Sequence, residues 1–290
     1  MDKSLEKLGK LTVKEFFARY PNEATCLEHI FEVRFGLRHT CRACGVEGTF
    51  HKLNNRRAYS CSSCGDHVYP TAGTVFQDTR TPLQVWFYAI YLFVTTRHGV
   101  SGKELQRTLG VTYKTAWRMG QQIRQLMAKA DAFQPMSGHV EADETFVGGV
   151  VRGRDMGLSN KTIVVGLKER GGRVHAEKVK DRRTSTLQEI VWEHVTPGAR
   201  VSTDEMPSYN LLKRDGYIHE SVNHHAKEYV RGDTHTNSIE SFWRLFKQSI
   251  KSTHIHVSAK YMDRYLREFT FRSNHRQMTN AMFDLIIAAA

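Results

Sequence analysis

Cys41-Arg-Ala-Cys44 and Cys61-Ser-Ser-Cys64 form two CxxC pairs with 16 residues between them. Four thiolates at this spacing suit one tetrahedral zinc ion, each pair folding as a tight knuckle. Gly45 and Gly65 follow the second cysteine of each pair, where such a turn demands positive φ. The intervening TFHKLNNRRAYS is expected to form two short strands, giving a zinc ribbon held by Cys41, Cys44, Cys61 and Cys64. The competing reading is four unrelated structural cysteines. Cys26 lies in a helical pattern and is expected to be a buried apolar residue. Thiols used this way belong in a reducing compartment, so a cytoplasmic, nucleoid-associated location is expected.

The rest of the chain divides around this ribbon. Residues 1–35 read as a helical segment, 36–78 as the ribbon, 79–134 as helical, and 135–290 as a second α/β half. No signal peptide is expected from MDKSLEKLGKL, which lacks an apolar core. The longest apolar run, Leu83–Val94, is interrupted only by Gln84. It is too short to span a bilayer and reads as a buried helix, so no membrane partner is expected. Pro135–His139 is the linker candidate.

Charge follows the same division. The chain has 42 Lys plus Arg against 30 Asp plus Glu, a net +12. Residues 1–135 carry 19 basic and 11 acidic side chains, whereas 136–290 carry 23 and 19. A basic surplus of this kind points to a polyanion such as nucleic acid. In the basic half, Gly102–Leu109 and Thr112–Met127 flank Leu109-Gly110-Val111 in a helix-turn-helix pattern. Ala116, Met119, Ile123 and Met127 share one face of the second helix. Lys114, Arg118 and Gln121 or Gln122 face elsewhere and are candidates for a major groove or phosphates. An ordinary helical pair with a basic surface is the alternative. In the ribbon, Lys52, Arg56, Arg57 and Tyr59 are DNA-contact candidates beside the alternative of a solvated hairpin.

The second half reads βββαβα. HVEADETFV, KTIVVGLKER, GRVHAEKVK and ARVSTD alternate as strands. TSTLQEIVWEHV is a helix with an expected Thr or Ser cap, and 236–251 and 258–271 are helical. Asp143 lies in the first strand, Asp204 at the end of the fourth, and Glu240 near the start of HTNSIESFWRLFKQSIK. On that helix Ile239, Phe242, Phe246 and Ile250 form an apolar stripe. Asn237, Glu240, Arg244, Lys247 and Lys251 form a polar stripe beside it, Lys247 two turns beyond Glu240. A solvated face is the bland reading of that stripe. Taken with the two aspartates, however, the elements are those of a ribonuclease-H-like metal site. Hard carboxylate ligands suit Mg²⁺ or Mn²⁺, which activate a water or 3′-hydroxyl and stabilise the leaving oxygen. Lys247 would hold a DNA phosphate or base beside the metals, with Arg244 and Lys251 as further DNA contacts. Glu141 shares a strand face with Asp143 and is a rival ligand, whereas Glu144 and Glu205 are expected to support the site or lie at the surface. His235, His254 and His256 are structural, solvated or near DNA.

At this point the sequence resembles the DDE-type transposases of bacterial insertion sequences, in particular the insertion sequence 1595 family. The resemblance runs through the ribbon Cys41–Cys64, WFYAIYLF, GVSGKELQRTLGVTYKTAWRM, VEADETFVGG, STDEMPSY and the long block from HTNSIESFW to FRSNHR. It implies an α+β, α/β multidomain protein: N-terminal helices with zinc ribbon and helix-turn-helix, then a ribonuclease-H-like catalytic domain. It implies an Mg²⁺-dependent recombinase that binds terminal inverted repeats, nicks the ends and joins the 3′-hydroxyls to target DNA without a covalent protein–DNA intermediate. Some family members carry Asn as the third catalytic group, which makes Asn237 a rival or assistant to Glu240. A homo-oligomer is expected, because two DNA ends must meet. The alternative functions are a DNA-binding regulator with a relic catalytic domain and a stand-alone metal-dependent nuclease.

Overall fold

The computed structural model describes residues 11–148 and 161–290, with the side chains of Thr279 and Asn280 excepted. Residues 1–10 of the expected helical segment and Gly149 of VEADETFVGG lie outside the described residues. By contact the chain forms two compact units. The first comprises Met1–Thr96, Gly102–Ala130 and Gln277–Ala290; the second comprises Arg97–Ser101 and Asp131–Arg276.

The first unit begins with α1 (Val13–Arg19) and α2 (Glu23–Phe35). Thr12 and Glu15 make a reciprocal capping box on α1, and the Asn22 side chain accepts the first free amides of α2. The ribbon follows as β1 (His39–Thr40), β2 (Glu47–Gly48), β3 (Phe50–Lys52), β4 (Tyr59–Cys61) and β5 (His67–Val68). The two strands expected between the cysteine pairs are β3 and β4, paired antiparallel. The apolar run forms α3 (Leu83–Thr95), with Trp86, Phe87, Ile90 and Phe93 fully buried. After α3 come α4 (Gly102–Leu109) and α5 (Tyr113–Ala130), separated by Gly110 at φ 64. Ala116, Met119, Ile123 and Met127 are buried as the stripe requires.

The second unit contains β6 (His139–Gly148), β7 (Lys161–Glu169), β8 (Val174–Val179), α6 (Thr184–His194), β9 (Arg200–Thr203), β10 (Ile218–Ser221), α7 (Asn237–Ser249) and α8 (Met262–Asn274). Its five-stranded sheet has the order β10-β9-β6-β7-β8. The β7 strand runs antiparallel to both β6 and β8, while β9 runs parallel to both β6 and β10. Strand alternation sends neighbouring side chains to opposite faces. Val140, Ala142, Val165 and Leu167 pack with Leu187, Ile190 and Val191 of α6. Val147, Val164 and Ala176 pack instead with Ile239, Phe242 and Phe246 of α7 and with Leu266 and Phe269 of α8.

Several sequence expectations are corrected here. A fifth strand, β10, was not expected; IHES is too short and too polar to register as one. No Thr or Ser side chain caps α6, whose first residue is preceded by Arg183. Asp181 instead accepts both the Arg183 amide and the Thr186 hydroxyl. The expected 135–290 segment differs at its end from the contact division. Residues 277–290 group with the first unit, where α9 (Thr279–Ala288) packs with α2, α3 and α5. Phe283 meets Tyr20 and Phe87 there, and Asp284 pairs with Arg19 at 3.1 Å and His29 at 3.3 Å. No helix among the described residues is long and apolar enough to cross a membrane.

One glycine sets how closely α7 lies on the sheet. Gly166 of β7 stands opposite Asp143, and a Cβ there would come within 2.5 Å of the Trp243 ring and 2.7 Å of Ile239. Gly166→Ala is therefore expected to lower stability by about 1–3 kcal/mol, the usual cost of overpacking a core. Urea denaturation measures this, and an unchanged midpoint would mean that α7 does not depend on the gap.

Candidate functional site

The ribbon cysteines converge. Cys41 and Cys64 Sγ are 3.7 Å apart, Cys44 and Cys61 Sγ 4.0 Å, and all four lie within 4.8 Å of one another. Ligands about 2.3 Å from a tetrahedral zinc stand about 3.8 Å apart, so the donor set and spacing fit structural zinc. Gly45 (φ 70) and Gly65 (φ 77) make the two knuckles, donating to the carbonyls of Cys41 and Cys61. The amides of Cys64 and Ser63 lower the pKa of the Cys61 thiol, toward the thiolate that zinc needs.

The basic candidates of the first unit are unequal. Arg56, Lys114 and Arg118 are exposed, with the Arg118 guanidinium 5.9 Å over the Trp86 ring. Arg57 is instead engaged by Glu23 at 2.6 Å and by the Thr79 carbonyl at 3.1 Å. Tyr59 is not a surface residue, since its ring is buried and stacks on Phe31 at 4.2 Å. Gln121 is buried as well, which removes it from any groove-facing set.

In the second unit the acidic residues gather where β9 departs from β6. The pairing between these strands ends at Glu141 and Ser202. Asp143 lies two residues further along β6, and Asp204 directly follows β9. Carboxylate oxygens of Asp143, Glu144 and Asp204 lie within 4.8 Å of one another. The Tyr209 hydroxyl donates to Glu144 at 2.7 Å, and the Met206 amide donates to Asp204 at 3.0 Å. Burial raises the Asp143 carboxyl to about 8, helped by the charges of Glu144, Asp204 and Glu240. Burial likewise lifts Glu144 to about 7, against the Tyr209 hydrogen bond, and pushes Asp204 upward. Crowded carboxylates whose charged forms are this costly fit an oxygen-preferring divalent cation such as Mg²⁺ or Mn²⁺.

Glu240 stands outside that tight trio, exposed on α7, with its carboxylate accepting from the Thr236 hydroxyl at 2.7 Å. Its charge still reaches Asp143, as does that of Lys247. Asn237 opens α7 and is exposed, as are Arg244, Lys247 and Lys251, so the polar stripe faces outward as expected.

Glu141 is corrected from rival ligand to helix cap. Its carboxylate is completely buried and accepts from the Ser238 amide at 2.7 Å, the Ile239 amide at 3.1 Å and Arg170 at 2.8 Å. His235 lies 3.1 Å away. A negative charge at a helix N-terminus is favourable and satisfies amides that have no partner within the helix. Sequence reasoning missed this because the partners are about a hundred residues apart in the chain. Glu144, expected to support the site or lie at the surface, stands within the acidic group itself.

With this geometry in place, comparison with known proteins is decisive. Residues 135–274 match the ISXO2-like transposase domain, and residues 21–67 match the transposase zinc-ribbon domain. An uncharacterized protein in transposable element ISH50 of Halobacterium salinarum is 30% identical over 253 residues, covering 80% of this chain and 84% of that protein. The chain belongs to the insertion sequence 1595 family of transposases. An uncharacterized transposase-like protein of Haemophilus influenzae is 26% identical over 106 residues, 37% of this chain and 85% of that protein. The zinc-ribbon match covers Cys41, Cys44, Cys61 and Cys64, and the transposase-domain match spans Glu141, Asp143, Glu144, Asp204 and Glu240.

Two outcomes are expected of this transposase. Purified protein should contain about one zinc per chain by atomic emission, and Cys41→Ser should lose it and unfold the ribbon, since binding and folding are coupled; zinc-free wild-type protein would contradict the assignment. Glu141→Gln should cost about 2–3 kcal/mol in chemical denaturation, because a buried charge with its partners in place is expensive to remove. An unchanged midpoint in that variant would argue against the cap.

Proposed function

We propose that the chain binds the terminal inverted repeats of its element, cleaves the element ends with Mg²⁺ or Mn²⁺, and joins the 3′-hydroxyls to target DNA. The observation that carries this reading is the convergence of Asp143 and Asp204 within a half-buried carboxylate group, with Glu240 in electrostatic reach. The sheet order β10-β9-β6-β7-β8, with β7 alone running against the other four strands, supports a ribonuclease-H-like catalytic domain within residues 135–274. The ribbon (36–78) and the helical region (79–134) would serve DNA-end recognition, as their basic surplus suggests.

Asp143, Asp204 and Glu240 would hold the divalent ions, with Glu144 beside them. Bound there, such ions lower the barrier for attack of water or a 3′-hydroxyl on a phosphodiester and stabilise the departing oxygen. Tyr209 and the Met206 amide keep Glu144 and Asp204 aimed at the site. Lys247, Arg244 and Lys251 offer cations to DNA phosphates along the same helix face that carries Glu240. Two ends must be brought together, so the active complex would be a homo-oligomer. An intact acidic group argues against a regulator with a relic domain.

Asp143→Asn or Asp204→Asn should lower end cleavage about a thousand-fold while leaving binding to end-containing DNA intact. Glu240→Gln should be far more damaging than Asn237→Ala. Gel assays on duplexes from the DNA flanking the gene read both quantities. Equal loss of binding in the aspartate variants would sink the catalytic assignment, and the opposite order for Glu240 and Asn237 would move the third group to Asn237.

A further inference from the structure

Beyond the carboxylates, the far end of β6 borders a cavity of about 390 Å³. Its apolar walls include Val147, Ile250, Ile255 and Val257, and two cations, Lys247 and Lys251, stand at it. The volume lies in the range of small-ligand sites, and apolar walls with a few polar groups are their usual make-up.

The backbone beside it is held in an unusual shape. After α7 the chain winds into one π-helical turn, Ile250–His254, a feature that often marks functional sites. Ile255 then takes φ 63 and ψ −49, with the His256 amide donating to the His254 carbonyl at 2.7 Å. That is a tight γ-turn, rare for any residue and strained for a β-branched one. The result is an isoleucine 83% exposed at the rim of the cavity. Packing does not account for that strain, because the side chain buries almost nothing. Strained backbone of this kind persists where the surroundings impose it, often at ligand clamps.

Location narrows the ligand. Val147 is four residues beyond Asp143 on the same face of the same strand, about 13 Å along it. Lys247 both borders the cavity and feels the charge of Asp143. A DNA strand laid over the carboxylates would therefore continue past this cavity. Apolar walls match the faces of a base, and lysines match the phosphates on either side.

We propose that the cavity receives one unpaired base of the DNA strand, a few nucleotides from the scissile phosphate, with Lys247 and Lys251 holding the adjoining phosphates. Unstacking a base costs free energy, so the cavity would favour ends that melt readily and would fix the strand's register over the carboxylates. This inference rests on the end-cleavage reading, and the two can fail separately.

The test uses duplexes from the DNA flanking the gene, with 2-aminopurine placed singly at each of the five or so nucleotides either side of the cleavage position. Fluorescence is read with full-length protein at saturating concentration and without Mg²⁺. One position should brighten about three-fold or more with wild-type protein. Ile255→Asn brings a residue more tolerant of positive φ and removes the apolar rim; it should lose at least half of that rise. Lys251→Ala should reduce it as well. No bright position, or an equal rise with Ile255→Asn, overturns the proposal. Cleavage of the unlabelled duplex with Mg²⁺ reports separately on the reading beneath it. Cutting without unstacking removes only the base site, whereas unstacking without cutting leaves the base site and removes the cleavage reading.

Discussion

Mutual repulsion among half-buried carboxylates governs the second unit. Asp143, Glu144 and Asp204 are drawn together from two strands, and burial plus neighbouring charge lifts Asp143 to about 8 and Glu144 to about 7. Left to themselves such groups would separate or stay protonated. They are held by hydrogen bonds from Tyr209 and the Met206 amide and by the β6 backbone. A divalent cation bound there would resolve the conflict that the fold creates.

Other features of the unit follow from keeping that group in place. The β6 and β9 strands part company just before the acidic residues, so Asp143 and Asp204 meet in the opening. Gly166, opposite Asp143, leaves room for the Trp243 ring, and Glu141 ties the start of α7 to β6. Together these fix where Glu240 and Lys247 stand. In the ribbon, which has little apolar core of its own, convergent thiolates replace core packing as the organising force. Both halves thus place ligands at distances that a metal can satisfy.

How much of this was legible in the sequence depended on distance along the chain. The ribbon was readable because its four ligands come as two short pairs, and the faces of α7 were readable because helical periodicity is local. Asp143 and Asp204 stood out as a strand residue and a strand end. Glu141 did not, because its role depends on helix amides far along the chain that no spacing rule connects to it. Tyr59, Gln121 and Arg57 looked available for DNA because each sits among basic or polar neighbours. Tertiary packing then claimed them: Tyr59 against Phe31, Gln121 in the helical core and Arg57 on Glu23. The short β10 and the terminal α9 escaped notice because their stability comes from partners already in place.

The central claim is that Asp143 and Glu144 of β6 and Asp204 just after β9 form a divalent-cation site. Electron paramagnetic resonance titration of the full-length protein with Mn²⁺ tests it most directly. Wild-type protein should bind Mn²⁺ in a manner that excess Mg²⁺ reverses, and Asp143→Asn should weaken that binding about tenfold or more while the fold is retained. Equal Mn²⁺ binding by the folded Asp143→Asn protein would contradict the account.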